Sequence, residues 1–144
     1  MKKIQTVIAI SILVICVACK KDNKENRMNL ITSGNWKMIA YTVNPGYDYD
    51  GDGDIDTDIF IVTDECERDN LYLFKTTGAL EINEGATKCD VTDPQVYAAD
   101  WEFSNNERDI LIAGGEFHIE ELSSTRLKIS QNDNGDKSLI TFSK

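Results

Sequence analysis

The sequence has only one histidine, His118, and no long stretch with helical periodicity. A zinc site needs several imidazole or thiolate ligands, and one histidine supplies too few when Cys66 and Cys89 are expected to pair with each other. A Ser-His-Asp triad would have to use His118, which strand alternation turns outward. No glycine-rich phosphate-binding motif is present, because Gly114-Gly115 is typical of a hairpin turn. We therefore expect a binding or structural protein and not an enzyme.

Positive charge is also scarce. The chain has 15 basic and 25 acidic residues, which gives a formal net charge of −10. Nucleic acids need lysine and arginine to replace condensed counterions, so we expect no nucleic-acid partner. Wide contact with an anionic lipid surface is disfavoured for the same reason. Solubility accounts for most of this acidic surface.

The N-terminal segment predicts export from the cytoplasm. Two lysines follow Met1, and residues 4–19 carry no charge. This run is shorter than the roughly 20 apolar residues of a membrane-spanning helix, and its layout is that of a secretory signal. Small Ala18 precedes Cys19, so the segment resembles a bacterial lipoprotein signal, with cleavage after residue 18 and Cys19 as the lipidated residue. An ordinary cleaved signal and an uncleaved anchor helix are the alternatives.

Residues 19–29 are predicted to be a flexible tether between the lipid and the folded domain. The sequence "CKKDN" is similar to the cysteine–X–lysine–acidic sequence of surface-exposed lipoproteins of Bacteroidota. That resemblance implies lipid anchoring at the outer membrane, with the periplasmic and the cell-surface face both open. Loss of Lys2 and Lys3 with the signal changes the net charge from −10 to −12.

Two of the four cysteines remain available after export, because Cys16 leaves with the signal and Cys19 carries lipid. Cys66 and Cys89 then lie in an oxidising compartment, where a disulfide is expected. Closing a loop of this size contributes about 3 kcal/mol to stability. Metal ligation or a nucleophilic role is disfavoured by the shortage of histidine.

Residues 30–144 are predicted to form one all-β domain of about eight strands. Short runs with alternating polarity are separated by turn-forming pairs such as Thr77-Gly78 and Asn134-Gly135. The sequence "ENRMNLITS" before the first run predicts a short helix. The eight predicted strands are "WKMIAYTV", "LYLFK", "ALEIN", "ADWEFS", "DILIA", "EFHIEEL", "TRLKIS" and "SLITF".

Alternation along these runs places one face in the core and the other in water. Trp101 and Phe103 share the face opposite Glu102, as an antiparallel meander requires. Consecutive hairpins favour closure into a small antiparallel up-and-down β-barrel, because closure removes exposed sheet edges. Eight strands leave room for packed side chains or for one small ligand. A two-sheet sandwich is the alternative.

An ordered set of sequences resembles the lipocalin-like domain of Bacteroidota lipoproteins over residues 30–130. The set comprises "SGNWKM", "DECERDNLYLF", "TTGALEINEGATKC", "DPQ", "ADWEFS" and "IEELSSTRLKIS". The resemblance implies a lipocalin-like barrel, supports the Cys66–Cys89 pairing and implies little about activity. In lipocalins a tryptophan of the first strand packs at the closed end, often under an arginine from the last strands. Trp36 can take the first role, whereas Arg126 is in a late strand but is predicted to point outward.

The sequence "DYDGDGDIDTDIF" alternates aspartate with turn residues, as calcium loops do. Its aspartates fall at loop positions one, three, five, seven and nine. Position twelve is Ile59, so the bidentate carboxylate of a strong site is absent, and weak structural calcium binding is expected. A solvated acidic turn is the alternative. The predicted calcium ligands are Asp48, Asp50, Asp52, Asp54 (through its backbone carbonyl) and Asp56 (through water).

Two functions follow from this sequence. The first is a lipid-anchored module that binds a small apolar or amphipathic ligand inside the barrel. The second is a calcium-stabilised structural or adhesion-type lipoprotein with a solid interior, which contacts another macromolecule through its outer face. A cavity of a few hundred Å³ would favour the first. The residues predicted to line a ligand site are Trp101, Phe103, Phe117, Ile119 and Leu127.

Overall fold

A computed structural model describes residues 24–144 of the chain, with side chains from residue 27 onward. The predicted signal (residues 1–18) and the predicted lipidation site Cys19 lie outside the described residues. Within residues 24–144, no helix is long and apolar enough to cross a membrane.

Nine strands and a few short helical segments make up the domain. All eight predicted strands are present, and one short strand, β2, was not predicted. The elements in chain order are α1 (Lys24–Thr32), β1 (Trp36–Tyr47), β2 (Asp56–Asp58), α2 (Ile59–Val62), α3 (Glu65–Arg68), β3 (Leu71–Phe74), β4 (Ala79–Asn83), β5 (Val96–Ser104), β6 (Asp109–Ile112), β7 (Gly115–Leu122), β8 (Arg126–Asp133) and β9 (Asp136–Ser143), with a 3-10 turn at Asn105–Glu107 between β5 and β6.

Eight of the strands form a closed antiparallel barrel. Each strand from β3 to β8 pairs with the next along the chain, and β9 returns to pair with β1, for example at Tyr41 opposite Ile140. The closed sheet confirms the predicted up-and-down barrel, and the sandwich alternative is wrong.

Within the closed barrel, the strand pairing is shortest between β1 and β3. These strands pair only at Trp36 opposite Tyr72 and Lys37 opposite Leu71. Farther along, the same edge of β1 pairs with β2, at Thr42 opposite Asp58. The segment from β2 through α3 therefore lies beside this seam and replaces strand pairing there.

The predicted inward and outward faces are confirmed. Trp101 is buried and Glu102 is exposed, while His118 is exposed between half-buried Phe117 and buried Ile119. Aromatic rings stack edge to face inside the barrel, since the ring centroids of Phe74 and Trp101 are 5.2 Å apart. Packing of this kind adds to the stability that apolar burial supplies.

Helix α1 covers one end of the barrel, which is called the closed end below. Ile31 is fully buried, and its carbonyl oxygen accepts a 2.7 Å hydrogen bond from the indole Nε1 of fully buried Trp36. The short helix predicted here is confirmed. Met28 also packs against the core, so the folded part begins before residue 30, where the tether was predicted to end. The reason is that Met28 and Ile31 share the inner side of one helix.

Candidate functional site: a cavity inside the barrel

A cavity of about 290 Å³ lies inside the barrel, and none of its lining residues belongs to α1. Tyr49 and Glu67 are exposed members of this lining, and the part of the cavity that they border is called its mouth below. Its walls are mostly aromatic and aliphatic side chains, as in small-molecule sites. Strand alternation explains this composition, because inward positions of every strand carry large apolar residues. The lining residues are Met38, Tyr41, Tyr49, Thr63, Glu67, Tyr72, Phe74, Leu80, Ile82, Ile112, Phe117, Ile129, Ile140 and Phe142.

The five residues predicted to bind a ligand do not lie together at one site. Phe117 lines this cavity. Ile119 and Leu127 are buried in the core and do not reach the cavity wall. Trp101 and Phe103 line a shallow open groove of about 560 Å³ instead, next to α1. Alternation predicts which residues face inward, but not how far along the barrel axis each one lies.

Several cavity residues were missed at the sequence level, because they lie in the connection between β1 and β3. Thr63 and Glu67 come from this connection, and Tyr49 comes from the start of the acidic loop. One sequence signal pointed to these residues. The four consecutive apolar residues "IFIV", just before "DECER", are unusual in a loop that is fully solvated. Ile59 of that stretch is fully buried.

Five side chains of the lining carry a hydroxyl or a carboxylate. These polar groups are the hydroxyls of Tyr41, Tyr49, Tyr72 and Thr63 and the carboxylate of Glu67. Thr63 is already satisfied, since its hydroxyl donates to the carbonyl of Ile59 at 2.7 Å. Burial raises the pKa of Tyr72, and the nearby charge of Glu67 raises it further. Burial also raises the pKa of Tyr41.

A disulfide anchors the segment that carries Glu67. Cys66 and Cys89 are bonded, with Cα atoms 5.2 Å apart, which confirms the predicted pairing. The bond joins α3 to the connection between β4 and β5. Next to it, the carboxylate of Asp69 accepts hydrogen bonds from the backbone N–H groups of Ala86 and Thr87 at 2.9 and 3.0 Å. Glu67 lies between these two attachments, which join its segment to the connection between β4 and β5.

Gly85 is required where these two connections meet. Its φ of +66° is in the left-handed region, and a Cβ there would lie 2.5 Å from the backbone oxygen of Asp69. A side chain at this position would push the two connections apart.

The acidic loop is compact and hydrogen-bonded within itself. Asp48 accepts from the backbone N–H groups of Gly51 at 2.7 Å and Gly53 at 3.2 Å, and Asp56 accepts from Tyr49 at 3.0 Å. Carboxylate oxygens of three of the predicted ligands (Asp48, Asp50 and Asp56) lie within 4.8 Å of one another. The other two, Asp52 and Asp54, are exposed and outside this group.

The histidine pairs with a carboxylate on the outer face of the barrel. His118 Nδ1 is 2.7 Å from Asp109 Oδ1 on the neighbouring strand. Ser130 lies opposite His118 on β8, but its hydroxyl donates to Glu120 at 2.8 Å. A nucleophilic serine would need its proton directed at the imidazole, and this one is directed elsewhere.

Comparison with known proteins shows a similarity at the level of structure. No protein-family profile matches the chain, and no curated protein is similar in sequence. Among solved structures, the chain is similar to a lipocalin-like protein from Bacteroides uniformis. The two share 18% sequence identity, with a TM-score of 0.40 and an alignment that covers 77% of this chain and 96% of that chain. The barrel assignment above rests on the strand pairing of this chain itself.

Proposed function

We propose that this chain is a lipid-anchored lipoprotein whose barrel binds a small apolar or amphipathic molecule without transforming it. The observation that carries the proposal is the cavity of about 290 Å³ with aromatic and aliphatic walls. Ligand pockets range from about 300 to 1,000 Å³, so this cavity suits a molecule at the small end of that range.

A cavity-filling variant tests the binding site. Ile82 lines the cavity, and Ile82→Phe adds volume there. Octanol is a suitable probe, because it has an apolar body and no charge. Calorimetry and ligand-observed NMR should detect octanol binding to the wild-type protein and little binding to Ile82→Phe.

Ile61→Phe is the matched control for this test, because Ile61 is 65% exposed and the same change there leaves the cavity untouched. Circular dichroism of both variants checks that each is folded. Absence of octanol binding to the wild-type protein, or equal binding to both variants, would contradict the proposal.

The anchor is proposed from the N-terminal sequence. Ala18 before Cys19 supports cleavage ahead of that cysteine, and lipid on its sulfur would hold the barrel at the outer membrane. In a bacterial host, Cys19→Ser should release the protein from the membrane fraction, and mass spectrometry should find acyl chains only on the parent protein. Cys16→Ser is the control, because Cys16 lies within the proposed signal. A Cys19→Ser protein that stays with the membrane would rule the anchor out.

A second candidate function is supported by the convergence of Asp48, Asp50 and Asp56. In this case the loop binds calcium, and the stiffened outer surface contacts another macromolecule. Carboxylate oxygens on a tightly curved loop are the ligands that calcium prefers. A calcium-dependent rise in melting temperature, together with a cavity that takes up no octanol, would favour this second function.

A further inference from the structure

We infer that the ligand of the barrel cavity is a small amine, with an apolar body and a positively charged nitrogen that lies between Glu67 and the tyrosine rings at the cavity mouth. This inference rests on the proposed ligand-binding function and adds the sign of the ligand's charge. It follows from three features of the cavity.

The first feature is the charge of the lining. Of the fourteen residues that line the cavity, Glu67 is the one acidic residue, and none is lysine, arginine or histidine. Arg68 follows Glu67 in the chain, but its guanidinium carbon is 5.9 Å above the ring of Phe60, and it does not line the cavity. A ligand carboxylate would therefore meet Glu67 with no cation to offset the repulsion. A ligand ammonium would meet its counter-ion.

The second feature is the presence of three tyrosines in the same lining. Tyr41, Tyr49 and Tyr72 all line the cavity with Glu67. Aromatic faces attract ammonium groups, and sites for organic cations in proteins combine several such rings. Glu67 and Tyr72 line the same cavity, and the charge of Glu67 adds to the effect of burial in raising the pKa of Tyr72. An amine could therefore contact the carboxylate and an aromatic ring together.

The third feature is the charge of the connection that forms the mouth. Residues 48–69 contain ten acidic residues and one basic residue. A mouth of one sign raises the local concentration of ligands of the opposite sign. The wall beyond Glu67 is apolar, with Phe74, Leu80 and Ile129, so a bare inorganic cation would lose its hydration there without replacement. An apolar body on the cation removes this penalty.

A matched series of probes tests the charge preference. Octylamine, octanol and octanoate share one apolar chain of a length suited to a small cavity, and they differ in the charge of the head group. Calorimetric titrations at neutral pH and physiological ionic strength should rank octylamine first and octanoate last, with octylamine about tenfold tighter than octanol. Ethylamine, a cation with almost no apolar body, should show no measurable binding.

Variants of α3 assign the preference to one carboxylate. Glu67→Gln should remove the advantage of octylamine over octanol and leave octanol binding unchanged. Glu65→Gln is the matched control, because Glu65 is exposed on the same short helix, as Glu67 is, but does not line the cavity. Its octylamine affinity should equal that of the wild-type protein.

Each other outcome overturns a defined claim. Octanoate binding as tightly as octylamine refutes the amine assignment while leaving the proposed ligand-binding function intact. Ethylamine binding as tightly as octylamine shows that surface charge alone attracts the cation and refutes the cavity assignment. An unchanged preference in Glu67→Gln removes Glu67 from the site. If none of the probes binds, the proposed function and this inference both fail.

Discussion

The ammonium nitrogen of Lys144 lies 4.2 Å from the centroid of the Trp36 ring. The same nitrogen donates hydrogen bonds to the carbonyl oxygen of Leu30 at 2.8 Å and to the hydroxyl of Ser33 at 2.6 Å. The residue after β9 is thereby tied to α1 and to the first residue of β1. This lysine occupies the place over the tryptophan that the lipocalin resemblance assigned to an arginine, and exposed Arg126 does not.

Removal of this cation should destabilise the closed end. Lys144→Met keeps much of the aliphatic chain and deletes the charge and both hydrogen bonds, so the free energy of unfolding should fall by about 1 kcal/mol. Lys144→Arg should retain most of the stabilisation that Lys144 provides, because a guanidinium also stacks on aromatic rings. Urea denaturation measures both. Lys137→Met on β9 is the control, because Lys137 makes only a 3.8 Å surface ion pair with Glu120. If Lys144→Met and Lys137→Met lowered the free energy of unfolding equally, the contact between Lys144 and Trp36 would have no stabilising role of its own.

The disulfide should contribute more than any single contact. Cys66 and Cys89 are 23 residues apart, and closing a loop of that length stabilises a protein by about 3 kcal/mol. The double variant Cys66→Ala/Cys89→Ala should lose that amount in urea denaturation, and reductant should affect only the wild-type protein. A thiol assay on the unfolded, unreduced protein should titrate neither cysteine. Titration of both would show that the bond is absent from the protein as purified.

Most of the fold could be predicted from the sequence because its signals are local. The alternation around Trp101 and the turn pair Asn134-Gly135 each act within a few residues, and each predicted its strand or turn correctly. Strand β2 could not be predicted in this way. Its three residues carry no alternation, and they form a strand only because β1 offers an unpaired edge beyond Lys37.

The site was harder to predict than the fold. Whether an inward-facing residue lines the cavity depends on how far along the barrel axis it lies, and alternation does not give that position. Phe117 and Ile119 are equivalent in the alternation pattern, yet only Phe117 reaches the cavity. Glu67 lies in a connection with no regular period, one residue from the disulfide-bonded Cys66. Lys144 reaches Trp36 from the opposite end of the sequence, which no local pattern can indicate.

Calcium should stabilise the protein through the acidic loop. Isolated loops of this kind bind calcium with dissociation constants of about 10⁻⁴ to 10⁻³ M. At about ten times that concentration, the free energy of unfolding should rise by about 1.4 kcal/mol, which raises the melting temperature by several degrees. Differential scanning calorimetry with calcium, and then with chelator, measures the change.

Two variants locate that calcium effect. Asp48→Asn should abolish it, because Asp48 belongs to the group of converging carboxylates and closes the loop by accepting from Gly51 and Gly53. Asp64→Asn is the control, because Asp64 is exposed and outside the group. A melting temperature that changes neither with calcium nor with chelator would identify the loop as a solvated acidic turn.

Acid should weaken the protein partly through the pair of Asp109 and His118. Hydrogen bonds from His118 and from Asn105, both at 2.7 Å, lower the pKa of the Asp109 carboxyl below its usual value. A carboxyl with a lower pKa in the folded state stabilises the protein at pH above its unfolded pKa, and this stabilisation is lost as pH falls through the folded pKa.

Asp109→Asn cannot titrate, so its stability deficit relative to the wild-type protein should be present at about pH 6 and shrink below about pH 4. Urea denaturation across this range measures the deficit, with Asp136→Asn, an exposed carboxylate on β9, as the control. A deficit that stays constant with pH would show that the pair contributes packing alone, since only a titrating carboxylate makes the loss depend on protons.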